Sequence, residues 1–491
     1  MPHSYTEYVA LMQKLADLSN AIAVMSWDNE VYLPEDSGPL RARQIATLAT
    51  MTHELFTAKS TGSLLTSLHK EKLPFKKAKN ISLTMKDYQR DKKFSPQFVM
   101  QKSMVISQAY HAWAEAKKKN DFSIFAPKLD QLLQLVREET QILGFEDHPY
   151  DALLDQYEPG IKVKKLDALF SDVTQQLVPF VRKLDSKWKE KADFLKLRYQ
   201  KDTQWQFGLE VLKGMGYDFK KGRQDISSHP FTIGFGSEDV RITTRIDEKD
   251  FCNMTWSCIH EGGHALYEQG LDSKEYGLPS GTAASLGIHE SQSRLWENNL
   301  GRSKAFWQYF FPILKKYFPQ QLKGVSLDQY YLGINRVSKN LIRTEADELH
   351  YHLHVAIRYE LEKEIFSSGI KAKSLRQLWN DKYKEYMGVT VKNDAEGILQ
   401  DVHWSHGSFG YFPTYSLGSF YAAQFHQTML SQHPTLEKEV AKGDFTYVQQ
   451  WLKNNIYRHG KTYNAEELCK KATGQSLNFS HFMNYVMAKY Q

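Results

Sequence analysis

The sequence predicts a mainly α-helical protein with a small β element, and three observations carry that class. Apolar residues recur at helical spacing through most of the chain, one segment most clearly alternates apolar and polar residues with a period of two, and neither Pro/Gly/Ser-rich linkers nor internal repeats are visible. The helical segments fall at about 5–26, 40–57, 95–119, 126–144, 163–188, 203–214, 251–269, 285–299, 335–368, 374–386, 434–455 and 464–488. In the exception, "DVRITTRID" (239–247), Val240, Ile242 and Ile246 alternate with Arg241, Thr243 and Arg245, as in a half-buried strand.

The first segment is amphipathic, and Lys14 and Asp17 break its apolar run, so it matches neither a signal peptide nor a membrane span. A soluble cytoplasmic protein is expected, with no membrane partner. The lysine-rich "HKEKLPFKKAKN" (69–80) reads as a solvated loop or helix end. With 491 residues, 41% hydrophobic and 13% aromatic, the chain can fill a large core. It reads as one mainly helical domain spanning 1–491, with lobes at 1–225 and 226–491 and the chemistry in the second. The net charge of +6 comes from 63 basic and 57 acidic residues, a mixed surface that gives a nucleic-acid role little support. Cys252, Cys258 and Cys469 form no CxxC pair, which argues against disulfides and cysteine metal sites. Any metal must be held by histidine and carboxylate.

The segment "CIHEGGHALYEQG" (258–270) offers such a set. In HExxH on a helix, His260 and His264 lie on one face and can reach one ion, while Glu261 is placed to act on the water that the ion activates. Trp256, Ile259, Gly263 and Leu266 make a core face, with His260, His264 and Tyr267 on an adjacent one. Gly262 and Gly263 are unexpected here, since each mid-helix glycine costs about 1 kcal/mol relative to alanine. Their presence predicts that another backbone, or substrate, comes too close for a Cβ, and the strand at 239–247 is the natural neighbour.

A catalytic metal needs a third protein ligand and an open position. Glu290 in "GIHESQSRLWEN" is the choice. His289 and Glu297 are its rivals: His289 is expected to orient a ligand, and Glu297, two turns along the same face, to be an exposed carboxylate. A second chelating pair, His350 and His354 in "ADELHYHLH", lacks a glutamate after the first histidine and reads as structural.

With those residues in hand, the sequence resembles the carboxypeptidase Taq family of metallocarboxypeptidases. The likeness rests on "DVRIT" (239–243), "HEGGH" (260–264), "HESQ" (289–292), "IRTEAD" (342–347) and "GILQDVHW" (397–404), in family order. "SSHPFTIGFG" (227–236), "SWD" (26–28) and "RARQIA" (41–46) add to it, while "YLPEDSGPL" (32–40) departs from the family's usual run. The resemblance implies metal binding by His260, His264 and Glu290, with Glu261 as catalytic base. It also implies a saddle-like helical metallopeptidase fold with a deep substrate groove, and a homodimer. Zinc is the default ion, one per subunit, with cobalt or manganese able to serve.

Peptide hydrolysis would also need an oxyanion stabiliser, and His403 is the first candidate, with Tyr411 and Tyr415 downstream of it. Peptides with a free C-terminus would need an arginine fork, for which Arg343 is the choice; Tyr415 could add a hydrogen bond, and an intrahelical pair with Asp347 is the plainer role for Arg343. The strand at 239–247 could pair with an extended substrate, or Asp239 and Arg241 could order it against the metal helix. Asp401 is a candidate acceptor for a ligand histidine's other N–H. The expected activity is release of single C-terminal residues with broad specificity. An endopeptidase is the alternative, and a helical scaffold without catalysis the reading from a different class.

Overall fold

Helices form where apolar residues repeat every three to four positions, and polar caps set their ends. Ser4 and Glu7 close a capping box ahead of Tyr5–Val31, and Asn464 and Glu467 do so ahead of Ala465–Thr473. A computed structural model describes residues 4–184, 186–189 and 192–491. Among these, no helix is long and apolar enough to cross a membrane.

Several expected helices are shorter than the pattern suggested. The segment at 163–188 is helical over Val163–Arg182, followed by a 3-10 turn at Ser186–Lys189; residue 185 lies outside the described residues. The segment at 335–368 is helical only over His350–Ser368. Before it, Asp347 accepts the backbone N–H groups of Ser338, Leu349 and His350, and Asn340 accepts that of Ile342, so side chains compete with the helix ladder. Gly443 (φ 80°) parts Leu436–Val440 from Thr446–Asn455, and Gly474 (φ 83°) ends Ala465–Thr473 before Ser480–Tyr490. Helices at Lys59–His69, Phe75–Asp91, Lys304–Tyr317 and Phe412–Gln432 were not foreseen. The lysine-rich stretch is a loop only between the first two.

The expected strand is the middle of a three-stranded sheet: β1 (Gln224–Ile226), β2 (Thr232–Gly234) and β3 (Val240–Thr244), in the order β1-β3-β2. β1 runs parallel to β3 with Gln224 opposite Ile242, and β2 runs antiparallel with Thr232 opposite the same residue. Both edges of β3 are therefore paired, and it cannot take up a substrate backbone. Arg241 instead donates two hydrogen bonds to Asp239, at 2.9 and 2.8 Å, and stacks on Trp27 and Phe235, ordering the start of the strand. Arg41 likewise ties the two N-terminal motif pieces together through Asp28 at 2.7 Å.

The chain forms two compact units interleaved along the sequence. One comprises 1–92, 191–334 and 421–477; the other comprises 93–190, 335–420 and 478–491. The division expected near residue 225 falls inside β1, within the first unit, because non-consecutive segments pack together there.

In the first unit the HEGGH helix, Phe251–Gly270, is buried on nearly all sides. The sheet packs on one face, where Thr244 and Ser257 share a hydroxyl hydrogen bond of 2.6 Å. The glycines face elsewhere. A Cβ on Gly263 would stand 2.6 Å from the carbonyl oxygen of Gln292 and 2.7 Å from Cα of Ser293, so the close neighbour is the backbone of the helix Leu286–Arg294, not the strand. A Cβ on Gly262 would meet Leu212 Cδ2 at 2.7 Å and Met215 Cε at 3.0 Å, flexible tips from the helix Lys201–Met215.

The two glycines therefore respond differently to alanine. Gly263→Ala is expected to cost about 1–3 kcal/mol by overpacking against backbone that cannot yield, and to lower both melting temperature and activity. Gly262→Ala, where side-chain ends can move, should stay within about 1 kcal/mol of the parent in urea unfolding. A stabilised, fully active Gly263→Ala protein would contradict the close-approach account.

Candidate metal centre

His260 and His264 stand one turn apart on the HEGGH helix, with ring centroids 4.9 Å apart. Glu290 enters from Leu286–Arg294, whose first turn is fixed by the Ser285 hydroxyl accepting the N–H of Ile288. One donor atom from each of the three residues lies within 4.8 Å of the other two. Glu290 Oε2 is 3.7 Å from His260 Nε2 and 3.5 Å from His264 Nε2.

The hydrogen bonds behind the rings set their tautomers. His260 Nδ1–H donates to Glu297 at 2.8 Å. His289 donates from Nε2 to Glu268 at 2.8 Å, which leaves its Nδ1 to accept the His264 Nδ1–H at 2.6 Å; the His289 carbonyl oxygen lies 3.1 Å from the same proton donor. Both Nε2 atoms then present lone pairs toward a carboxylate oxygen. Three acceptors converging without a proton between them is the donor set of a divalent cation, so these residues fit a bound metal.

At His264 the electrostatics agree. Burial, together with His289, pulls the His264 imidazole down to about 3, which keeps it neutral. Burial also works against a charged His260, but Glu290 and Glu297 outweigh it and raise that group. Burial would raise Glu290, yet Arg294 and His260 hold it far below the usual carboxylate range. Glu297 is held low in the same way by Arg294 and His260. Glu261 is raised by burial, only partly offset by His260 and by the Thr232 hydroxyl, which donates to it at 2.6 Å.

Glu297 is thus no exposed carboxylate: it is buried and orients His260. His289 orients His264, as expected. Thr232, Glu268, Arg294 and Arg302 were not foreseen. Arg294 and Glu268 could have been found as the positions one turn beyond Glu290 and His264 on their helices, whereas Thr232 gives no sequence signal.

The comparisons with known proteins bear on this geometry. The family of carboxypeptidase Taq (M32) metallopeptidases matches residues 7–490. The chain belongs to that family. It is 40% identical to Carboxypeptidase 1 of Bacillus subtilis (strain 168), over 99% of this chain and 98% of that one. Among solved structures, M32 carboxypeptidase from Deinococcus radiodurans R1 superposes with a TM-score of 0.97 at 36% identity, covering 99% of this chain and 98% of that chain. A structure described as that of CHT is 53% identical with a TM-score of 0.96, covering 99% of each chain. Membership makes the chain a metal-dependent peptide hydrolase of the carboxypeptidase type with the family's helical fold.

The second unit of this carboxypeptidase gathers the other expected residues. Arg343 lies on a 3-10 turn, Arg343–Glu345, and not on a helix with Asp347. Its Nε and Nη2 meet Asp401 at 3.0 Å each, Nη1 donates to Tyr351 at 3.1 Å, and its guanidinium stacks 4.7 Å from the Tyr415 ring centre. Asp401 serves no ligand histidine. It is shared between Arg343 and the buried Arg358, at 2.7 Å, and though burial would raise its carboxyl, the two arginines hold it far below the ordinary range. His403 Nε2 pairs with the Tyr415 hydroxyl at 3.0 Å, and Tyr411 packs on both rings. His350 and His354 are structural: they bond Asp347 at 2.7 Å and Tyr383 at 2.8 Å.

Burial, reinforced by Arg343, pulls His403 down to about 3. A group whose folded value lies below its unfolded value of about 6.5 stabilises the protein fully above that pH and loses the contribution as pH falls toward 3. His403→Gln should remove this dependence. Its unfolding free energy, measured in urea between pH 6 and 4, is expected to fall less steeply than the parent's by about 1.4 kcal/mol per pH unit. Parallel curves would place His403 in a more hydrated setting.

Proposed function

We propose that this enzyme removes single residues from the free C-termini of peptides, with broad specificity, at one divalent ion per subunit held by His260, His264 and Glu290. The observation that carries the reading is the convergence of two Nε2 lone pairs on a carboxylate oxygen at 3.5 and 3.7 Å, with both Nδ1 atoms engaged elsewhere. Zinc suits two imidazoles and one carboxylate, and cobalt or manganese can occupy the same donors. A cytoplasmic homodimer completes the proposal.

When bound, the ion polarises the scissile carbonyl and makes a water acidic enough to attack near neutral pH. Glu261 takes that water's proton and passes it to the departing amine. Burial raises its carboxyl toward the range where one group can serve as base and then acid, and Thr232 holds it in place. Arg343, whose guanidinium plane is fixed by Asp401 and Tyr415, is assigned to the substrate's terminal carboxylate through its remaining N–H groups, with Tyr415 beside it. His403, neutral and bonded to Tyr415, is assigned to the oxyanion.

Glu261→Gln should retain its metal by elemental analysis while turnover falls by about 10²–10⁴-fold. Near-normal turnover in that variant would remove Glu261 from the proton path. Glu290→Ala, by contrast, should lose metal and activity together. Peptides ending in a free carboxylate should be shortened by one residue at a time, located by mass spectrometry, and their C-terminal amides left intact. Cleavage of the amides at internal bonds would make the enzyme an endopeptidase.

A further inference from the structure

Arg294 links the two carboxylates that approach the histidines. Its Nε donates to Glu290 Oε1 at 2.7 Å and its Nη1 to Glu297 Oε2 at 3.0 Å, and that same Glu297 oxygen accepts His260 Nδ1–H. Glu290 Oε2, the oxygen near both Nε2 atoms, accepts the Ser293 hydroxyl at 3.1 Å. The three charged residues share one strip because Arg294 and Glu297 stand four and seven positions after Glu290, one and two turns along the same face, with Glu297 on the π-helical turn Leu295–Leu300 that continues the helix Leu286–Arg294. A simple ion pair one turn apart would engage Glu290 alone. Here the guanidinium fork joins a proposed ligand to the group that orients another, and the Arg294 side chain is only 14% exposed.

We propose that Arg294 is a positioning residue that reserves Glu290 Oε1, so that Glu290 offers the ion one oxygen instead of two and leaves room for water and the peptide carbonyl. The inference rests on the ligand set proposed above. Carboxylates bind cations through one or both oxygens, and the choice changes the number of open places. Losing Arg294 would free Oε1 to approach the ion. Charge alone makes a different forecast: deleting a cation beside a divalent ion should tighten metal binding and leave the coordination number unchanged.

The test uses cobalt-loaded parent, Arg294→Gln and Arg294→Lys proteins, with visible absorption, chelator competition and peptide kinetics. In Arg294→Gln the cobalt d–d absorption is expected to weaken by about twofold or more as coordination number rises. Its kcat should drop about 10–100-fold while KM moves less. Arg294→Lys keeps the charge without the fork, so it should keep the altered spectrum, and it supplies the answer on its own if the glutamine variant does not fold. A parental spectrum in Arg294→Gln, or restoration of both spectrum and kcat by lysine, would overturn the positioning role. Failure of the ligand assignment looks different: a parent that takes up no cobalt, or a Glu290→Ala protein that keeps it.

Discussion

The contact on which the centre depends is the backbone of Gln292 and Ser293 lying against Gly263, where a Cβ would stand 2.6 Å from a carbonyl oxygen. Helices packed through ordinary side chains keep their axes about 8–10 Å apart. Removing the Cβ at the crossing lets the second helix approach the first, so short glutamate side chains can reach the histidines. The helix-breaking cost of the glycines is thus repaid in geometry. Glu290 and Glu297 reach the His260 face, and the His289 carbonyl reaches His264, because the two backbones meet at Gly263.

Close approach gathers negative charge, and the surrounding cations answer it. Two buried carboxylates this close together would repel each other. Arg294 spans both, and Arg302, stacked 4.1 Å from the Trp256 ring centre, stands 3.5 Å from Glu297. The second unit uses the inverse arrangement, one carboxylate, Asp401, between two arginines. Buried ion pairs seldom add much net stability, since desolvation consumes most of the Coulombic gain. Their consequence here is orientation: a guanidinium bonded on two sides cannot turn, so the remaining donors of Arg343 keep one direction.

The sequence made part of this legible for definite reasons. HEGGH declares two candidate ligands because i and i+4 share a helix face, and Glu290 follows in a segment with the right chemistry and helical spacing. The glycines announced a close neighbour but could not name it, since nothing local distinguishes a strand from a second helix as the partner. Glu297 looked exposed because a glutamate on a helix usually is, and the arginines that bury it are informative only once their side chains are placed. Phe412–Gln432 escaped notice for the opposite reason. Phe412, Leu417, Phe420, Tyr421, Phe425 and Met429 are all buried, and a helix covered on most sides loses the polar stripe that makes helical periodicity visible. The pattern around Arg343 reads as helical because charged and apolar residues alternate plausibly there, while Asn340 and Asp347 accept hydrogen bonds from backbone N–H groups and hold a turn.

His403 opens a 3-10 turn, His403–His406, and Tyr415 lies in the first turn of the helix Phe412–Gln432, so the less regular stretch between these elements must set how the two side chains meet. Glu362 supplies the missing constraint. Buried on the helix His350–Ser368, it accepts the Tyr150 hydroxyl at 2.5 Å, the Trp404 indole N–H at 2.8 Å and the Gly410 backbone N–H at 2.8 Å. Burial pushes its carboxyl up to about 7 even though these donors favour the ionised form. An apolar residue there would leave three donors without an acceptor, which costs more than the carboxylate's own desolvation is worth avoiding. Trp404 adjoins His403, and Gly410 begins the turn into Tyr411 and the Phe412–Gln432 helix. One carboxylate therefore pins the segment at both ends and gives an irregular stretch the fixed geometry that a helix gives His260 and His264.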